Sequence, residues 1–185
     1  TALTDSVRVS EKAWRMGGTR MFIEVNSEVP VDALIHGMLI QSGNDASVAL
    51  AEHISGSVEA FVAEMNAAAA ALGMTDSAYK NPTGLPARDH YSSARDMAVL
   101  AKALIAEFPG YYDLYGQREY TYNNIRQYNR NRLLWRDASV DGLKTGYTSG
   151  AGYCLVTSAQ RDGMRLIAVV LGAETANSRN AAGQK

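Results

Sequence analysis

Val140-Asp141-Gly142-Leu143-Lys144-Thr145-Gly146-Tyr147-Thr148 is followed by two apolar runs, Gly152-Tyr153-Cys154-Leu155-Val156-Thr157-Ser158-Ala159 and Met164-Arg165-Leu166-Ile167-Ala168-Val169-Val170-Leu171-Gly172. The two runs flank Arg161-Asp162-Gly163, a hairpin signal, and so predict an antiparallel pair. Ser149-Gly150-Ala151-Gly152 is a second turn, which makes Asp141 to Thr148 a third strand beside them. Lys144-Thr145-Gly146 then sets a cation, a hydroxyl and a residue without a side chain in a row. Lysine offers a point charge to an anion. Threonine donates and accepts hydrogen bonds, and glycine lets another backbone lie close against the strand. The combination suits a strand edge that binds an extended, anionic peptide by strand addition. The competing reading is a surface hairpin with a solvated lysine.

A chain of 185 residues can bury one sizeable core. An apolar content of 46% and a charged content of 20% are ordinary for a globular protein. The formal charge of -1, with no basic run, gives no support to a nucleic-acid partner. The one cysteine, Cys154, lies in an apolar strand and reads as a small buried hydrophobe. The three histidines show no metal-ligand spacing, so neither a metal nor any other cofactor is expected. No run reaches the length of a membrane span.

Taken in order, Thr1 to Asp5 has no initiator methionine and leads straight into a strand-like Val7-Arg8-Val9. Ser10 to Gly18 is turn-rich, and Met21 to Val25 is a short strand candidate. Pro30 opens a helix with Val31, Leu34, Ile35, Met38 and Leu39 on one face, which breaks at Gln41 to Asp45. Two more core helices follow, the second capped at Ser57 and closed at Gly73. Ser92 or Ser93 caps another, from Ala94 to Phe108. Glu119 to Tyr122 and Ile125 to Tyr128 alternate around Asn123-Asn124 and read as a hairpin, and Leu133-Leu134-Trp135 should be buried. Asn177 to Lys185 starts like a helix without a closing cap. Both ends read as cut, so a piece of a larger protein is expected. The pattern predicts an α+β fold around an antiparallel sheet, with a helical lobe over about 30–115 and a β-rich part over about 116–172.

Two further features converge with Lys144. Ser42-Gly43-Asn44 places a hydroxyl and a carboxamide one residue apart across glycine, an arrangement that also suits an ordinary helix cap. Arg130 lies between Asn129 and Asn131, and arginine is the preferred fork for a carboxylate, although a lone arginine is commonly just a surface residue.

Ser42-Gly43-Asn44, then Asn129-Arg130-Asn131, then Asp141 to Gly146 resemble the active-site landmarks of the low-molecular-mass penicillin-binding proteins, the serine-type D-alanyl-D-alanine carboxypeptidases. Leu39 to Ala46, Asn81-Pro82-Thr83-Gly84-Leu85 and Tyr91 to Ala98 extend the resemblance over essentially the whole chain. It implies a penicillin-binding/β-lactamase-like fold, incomplete at both ends. It implies a peptidoglycan stem peptide as substrate, acylation by β-lactams, and the periplasm or outer cell envelope as location. Any membrane association would come from C-terminal parts outside this chain. Ser42 would relay a proton to the leaving amine, Asn44 would bond the substrate backbone, and Lys144 would hold the site positive. Arg130 and Thr145 would receive the terminal carboxylate, Gly146 would let the peptide approach, and the Tyr147 N–H would serve an oxyanion hole. Tyr147 stands where some members carry histidine, which bears on deacylation and substrate preference.

The family's nucleophile, in a serine-x-x-lysine motif, should precede Ser42, and nothing from Thr1 to Gln41 matches it. The one literal match, Ser77-Ala78-Tyr79-Lys80, falls after Ser42 and is rejected. The expectation is a fragment of a carboxypeptidase without its nucleophile and base. The alternatives are a peptidoglycan-binding module without chemistry, or a class A β-lactamase with Glu119 and Asn123 in the deacylating pattern.

Overall fold

The structure is a computed structural model that describes residues 1–184; Lys185, the end of the expected C-terminal helix, lies outside the described residues. Strands β1 (Ser6–Arg8) and β2 (Glu28–Pro30) pair antiparallel and bracket a one-turn helix α1 (Glu11–Trp14), capped by Ser10 in what reads from sequence as a turn-rich stretch. Val31–His36 is α2, with Pro30 at its N-cap. It widens into a π-helical turn, Gly37–Gln41, before α3 (Asn44–Ser55). α4 (Val58–Ala71) starts at Ser57, whose side chain accepts from the Ala60 N–H. α5 (Ala94–Glu107) is capped in the same way by Ser93.

The β-rich part follows α6 (Pro109–Tyr112) and a 3₁₀ turn, Asp113–Gly116. β3 (Glu119–Tyr122) and β4 (Ile125–Tyr128) form a hairpin whose turn residues Asn123 and Asn124 have φ of 46° and 59°. Two left-handed residues give the turn that matches strand twist, and asparagine tolerates that conformation. α7 (Leu133–Arg136) leads into the main sheet, ordered β5 (Val140–Thr148), β6 (Gly152–Arg161), β7 (Met164–Ala173). α8 (Ala176–Gly183) closes the described chain.

Alternation along β6 and β7 separates two faces, with Val156, Ile167 and Val169 on one and Leu155 and Val170 on the other. Leu143 and Val156 pack with Ala101 of α5 and Tyr112, together with Ile167 and Val169. Leu155 and Val140 pack the other way, with Leu133, Leu134 and Val170, and α8 lies on that face. A third core joins β1 and β2 to the first three helices through Val7, Val29, Leu34 and Val48.

Four sequence expectations need correction. Cys154 is not fully buried but half-buried in β6. Met21 to Val25 is not a strand: Met21 and Ile23 are buried while Phe22 is exposed, which mimics strand alternation. Their N–H groups bond to the Asp45 carboxylate instead of to a neighbouring strand. α4 is less buried than its alanine-rich pattern suggests, with Ala69 its one buried residue. Leu133 and Leu134 are buried as expected, but Trp135 is 44% exposed, because a one-turn helix has only one inward face.

Candidate active site

The loop from the π-helical turn into α3 is held from below. Asp45 is 1% exposed, and its carboxylate accepts the N–H groups of Met21, Phe22, Ile23 and Ala46. Gly43 sits against that carboxylate: a Cβ there would lie 2.9 Å from Asp45 Oδ1 and 3.1 Å from the Met21 nitrogen. Ser42 is thereby set at φ 67°, ψ 41°, the left-handed region that residues with side chains seldom occupy. Widened helical turns and such backbone outliers concentrate at functional sites. Ser42 does not cap α3; Gly43 occupies that position, without a side-chain cap.

Lys144, in the middle of β5, donates from its Nζ to Ser42 Oγ and to the Thr145 carbonyl, the latter at 3.0 Å. The lysine keeps some exposed surface, but its ammonium end is enclosed. That enclosure, reinforced by the positive charges of Arg130 and Arg179, pushes its pKa down to about 8. A solvated surface lysine is therefore not what the fold provides. Thr145 follows, 9% exposed, and its hydroxyl takes no hydrogen bond among the described residues. Gly146 and Tyr147 are exposed, and the Tyr147 ring packs tilted against Tyr153, with 4.3 Å between ring centroids. A Cβ on Gly146 would meet only Cys154 Cβ, at 3.8 Å, so nothing inside the chain demands glycine there.

Arg130 lies on an exposed loop between two buried asparagines. Asn129 donates to the carbonyls of Tyr115 and Gln117 and accepts from the Asn131 N–H. Asn131 donates to the Gly142 carbonyl and accepts from the Leu133 N–H. Arg130 Nε donates to the Gln41 carbonyl at 3.2 Å, bridging the loop to the turn before Ser42. Its terminal nitrogens make no hydrogen bond among the described residues. Behind β5, Arg165 forks onto both Asp141 oxygens at 2.9 and 2.7 Å, and the Tyr112 hydroxyl donates to Asp141 at 2.7 Å. Asn44, 8% exposed, donates to the Gly17 carbonyl.

All seven residues singled out from sequence line one cleft of about 1530 Å³: Ser42, Asn44, Arg130, Lys144, Thr145, Gly146 and Tyr147. Ser77 and Lys80 do not line it; the Ser77 hydroxyl is bound to Ser92 and Asp96, where it anchors a loop to α5. Glu119 and Asn123 do not line it either, and the Glu119 carboxylate is engaged by Arg126 on the hairpin surface. Arg179 does, and the sequence offered no signal for it within an alanine-rich tail. It is 6% exposed, lies over the Tyr153 ring at 5.9 Å, and is depressed in pKa by burial. Among the described residues no cluster of metal-binding side chains occurs, and no helix is long and apolar enough to cross a membrane.

The family model for D-alanyl-D-alanine carboxypeptidases matches residues 1–175. The chain is 49% identical over 180 residues to D-alanyl-D-alanine carboxypeptidase DacC of Escherichia coli, covering 94% of this chain and 45% of that protein. It is 50% identical over 184 residues to DacF of Bacillus subtilis, covering 97% and 47%. The crystal structure of penicillin binding protein 5 from Haemophilus influenzae superposes with a TM-score of 0.95 at 44% identity, over 98% of this chain and 54% of that one. The chain thus spans about half the length of the curated relatives it matches.

Proposed function

Because this chain belongs to the D-alanyl-D-alanine carboxypeptidase family, we propose that the protein it comes from removes the terminal D-alanine of peptidoglycan stem peptides through an acyl-serine intermediate. The observation that carries this reading is the Lys144 ammonium on Ser42 Oγ, in a cleft whose lining includes no Asp or Glu. The peptide lies along the free edge of β5, past Gly146, with Asn44 bonding its backbone. Its C-terminal carboxylate meets the Arg130 guanidinium and the Thr145 hydroxyl. A serine outside these 185 residues attacks the penultimate carbonyl, and the Tyr147 N–H stabilises the oxyanion. Ser42 passes a proton to the departing D-alanine amine, and Lys144, poised near neutral pH, tunes that transfer. Water then cleaves the ester and regenerates the serine.

The cleft supports a nucleophile from elsewhere in the protein. Its volume exceeds the roughly 300–1,000 Å³ of ordinary ligand pockets. Met38, Met65, Met97, Leu100 and Leu104 give it an apolar wall, which we read as the seat of the segment bearing the serine. The same reading makes β-lactams acylating inhibitors and the periplasm or outer envelope the working compartment. The test is D-alanine release from a D-Ala-D-Ala peptide by the full-length protein. Release that falls at least about a hundredfold in both Ser42→Ala and Lys144→Ala supports the reading. No release, or release indifferent to both, contradicts it.

A further inference from the structure

We propose that Arg132, Trp135 and Arg136 form a second anion subsite, which takes a carboxylate carried by the peptide upstream of its C terminus. This rests on the carboxypeptidase reading and narrows its substrate to acidic peptides.

Six Lys and Arg side chains line the cleft: Arg126, Arg130, Arg132, Arg136, Lys144 and Arg179. No Asp or Glu accompanies them, although the whole chain has a net charge of -1. Arg126 is paired with Glu119; the other five have no ion-pair partner among the described residues. A terminal carboxylate received by Arg130 and Thr145 leaves most of this charge unanswered.

Arg132, Trp135 and Arg136 stand at positions i, i+3 and i+4 around α7, so they share one helix face. The opposite face, Leu133 and Leu134, is buried against Val140 and Leu155 and fixes the helix orientation. The shared face lines the cleft and is open: both arginines are exposed, and the indole is 44% exposed. The exposed indole thus shares one helix face, at the rim of a wholly basic cleft, with two arginines that have no ion-pair partner among the described residues. That face suits a ligand with a carboxylate on an aliphatic stem, which the arginines can fork and the indole can cover.

The test uses the full-length protein and two peptides ending in D-Ala-D-Ala, identical except that one carries an upstream carboxylate and the other its carboxamide. Arg132→Gln, Arg136→Gln and the double variant are compared with the wild type. Acylation by benzylpenicillin, which has one carboxylate, reports that the site remains assembled in each. The wild type should prefer the diacid, and the double variant should reduce that preference in kcat/KM about tenfold to a hundredfold, mostly through KM. A wild type without preference, or variants that lose both peptides and penicillin acylation in parallel, would overturn the subsite while leaving the reaction intact. Failure of the wild type to release D-alanine from either peptide would overturn the reaction reading, and the subsite with it.

Discussion

Asn131 Nδ2 donates to the Gly142 carbonyl at 3.0 Å, and this bond ties the loop that carries Arg130 to the strand that carries Lys144. The same carbonyl accepts from the Thr157 hydroxyl at 2.8 Å, so the start of β5 is gripped from the loop and from β6. The geometry of the cleft therefore depends on a residue that never faces a ligand.

Asn131 is fully buried, and its side chain makes two hydrogen bonds. Asn131→Leu should leave the Leu133 N–H unsatisfied and lower stability by about 1–3 kcal/mol. It should also slow acylation by penicillin, because Arg130 and Lys144 lose their relative placement. Denaturant unfolding and acylation kinetics on the full-length protein measure both, and a variant as stable and as fast as wild type contradicts the account.

Gly146 and Gly43 should separate binding from folding. At Gly146 a methyl group meets ordinary contact inside the chain, so Gly146→Ala should melt close to wild type but lose at least about tenfold in acylation, because the ligand backbone is displaced. At Gly43 a methyl group runs into Asp45 and the Met21 backbone, so Gly43→Ala should lose thermal stability as well. Equal melting losses in the two variants would argue that Gly146 is structural.

Lys144 gives a pH signature whose sign follows from its depressed pKa. It releases its proton at about 8 in the fold against about 10.5 unfolded, so the unfolded chain binds more protons between those values. The burial penalty is complete below pH 8 and is relieved as pH rises through 10.5. The stability gained by Lys144→Met over wild type should thus be largest at pH 7 and shrink toward pH 10. Denaturant titrations at the two pH values measure it; a gap that grows with pH contradicts an enclosed ammonium.

The strand and turn chemistry was legible because it is local. Asn123-Asn124 and Asp162-Gly163 supply left-handed pairs, and Ser57 and Ser93 cap helices with their own hydroxyls. Lys144 and Ser42 were named through the resemblance, and a shared cleft with their side chains in hydrogen-bond reach was expected from it; the structure makes that contact across 102 residues, which no local pattern encodes. The π-helical turn was invisible, since Gly37-Met38-Leu39-Ile40-Gln41 continues an ordinary helical pattern. The stretch Met21 to Val25 misled because one carboxylate, Asp45, replaces a partner strand. Arg179 and Trp135 face the cleft through the placement of α8 and α7 on the sheet, which no local pattern encodes.

The most direct test of the central claim is the intact mass of the full-length protein after incubation with benzylpenicillin, with the adduct mapped to a residue. One penicillin per protein, on a serine outside residues 1–185, is the predicted result. No adduct, or an adduct on Ser77 or any other residue of this chain, would contradict the claim that this cleft serves a nucleophile brought to it from elsewhere in the protein.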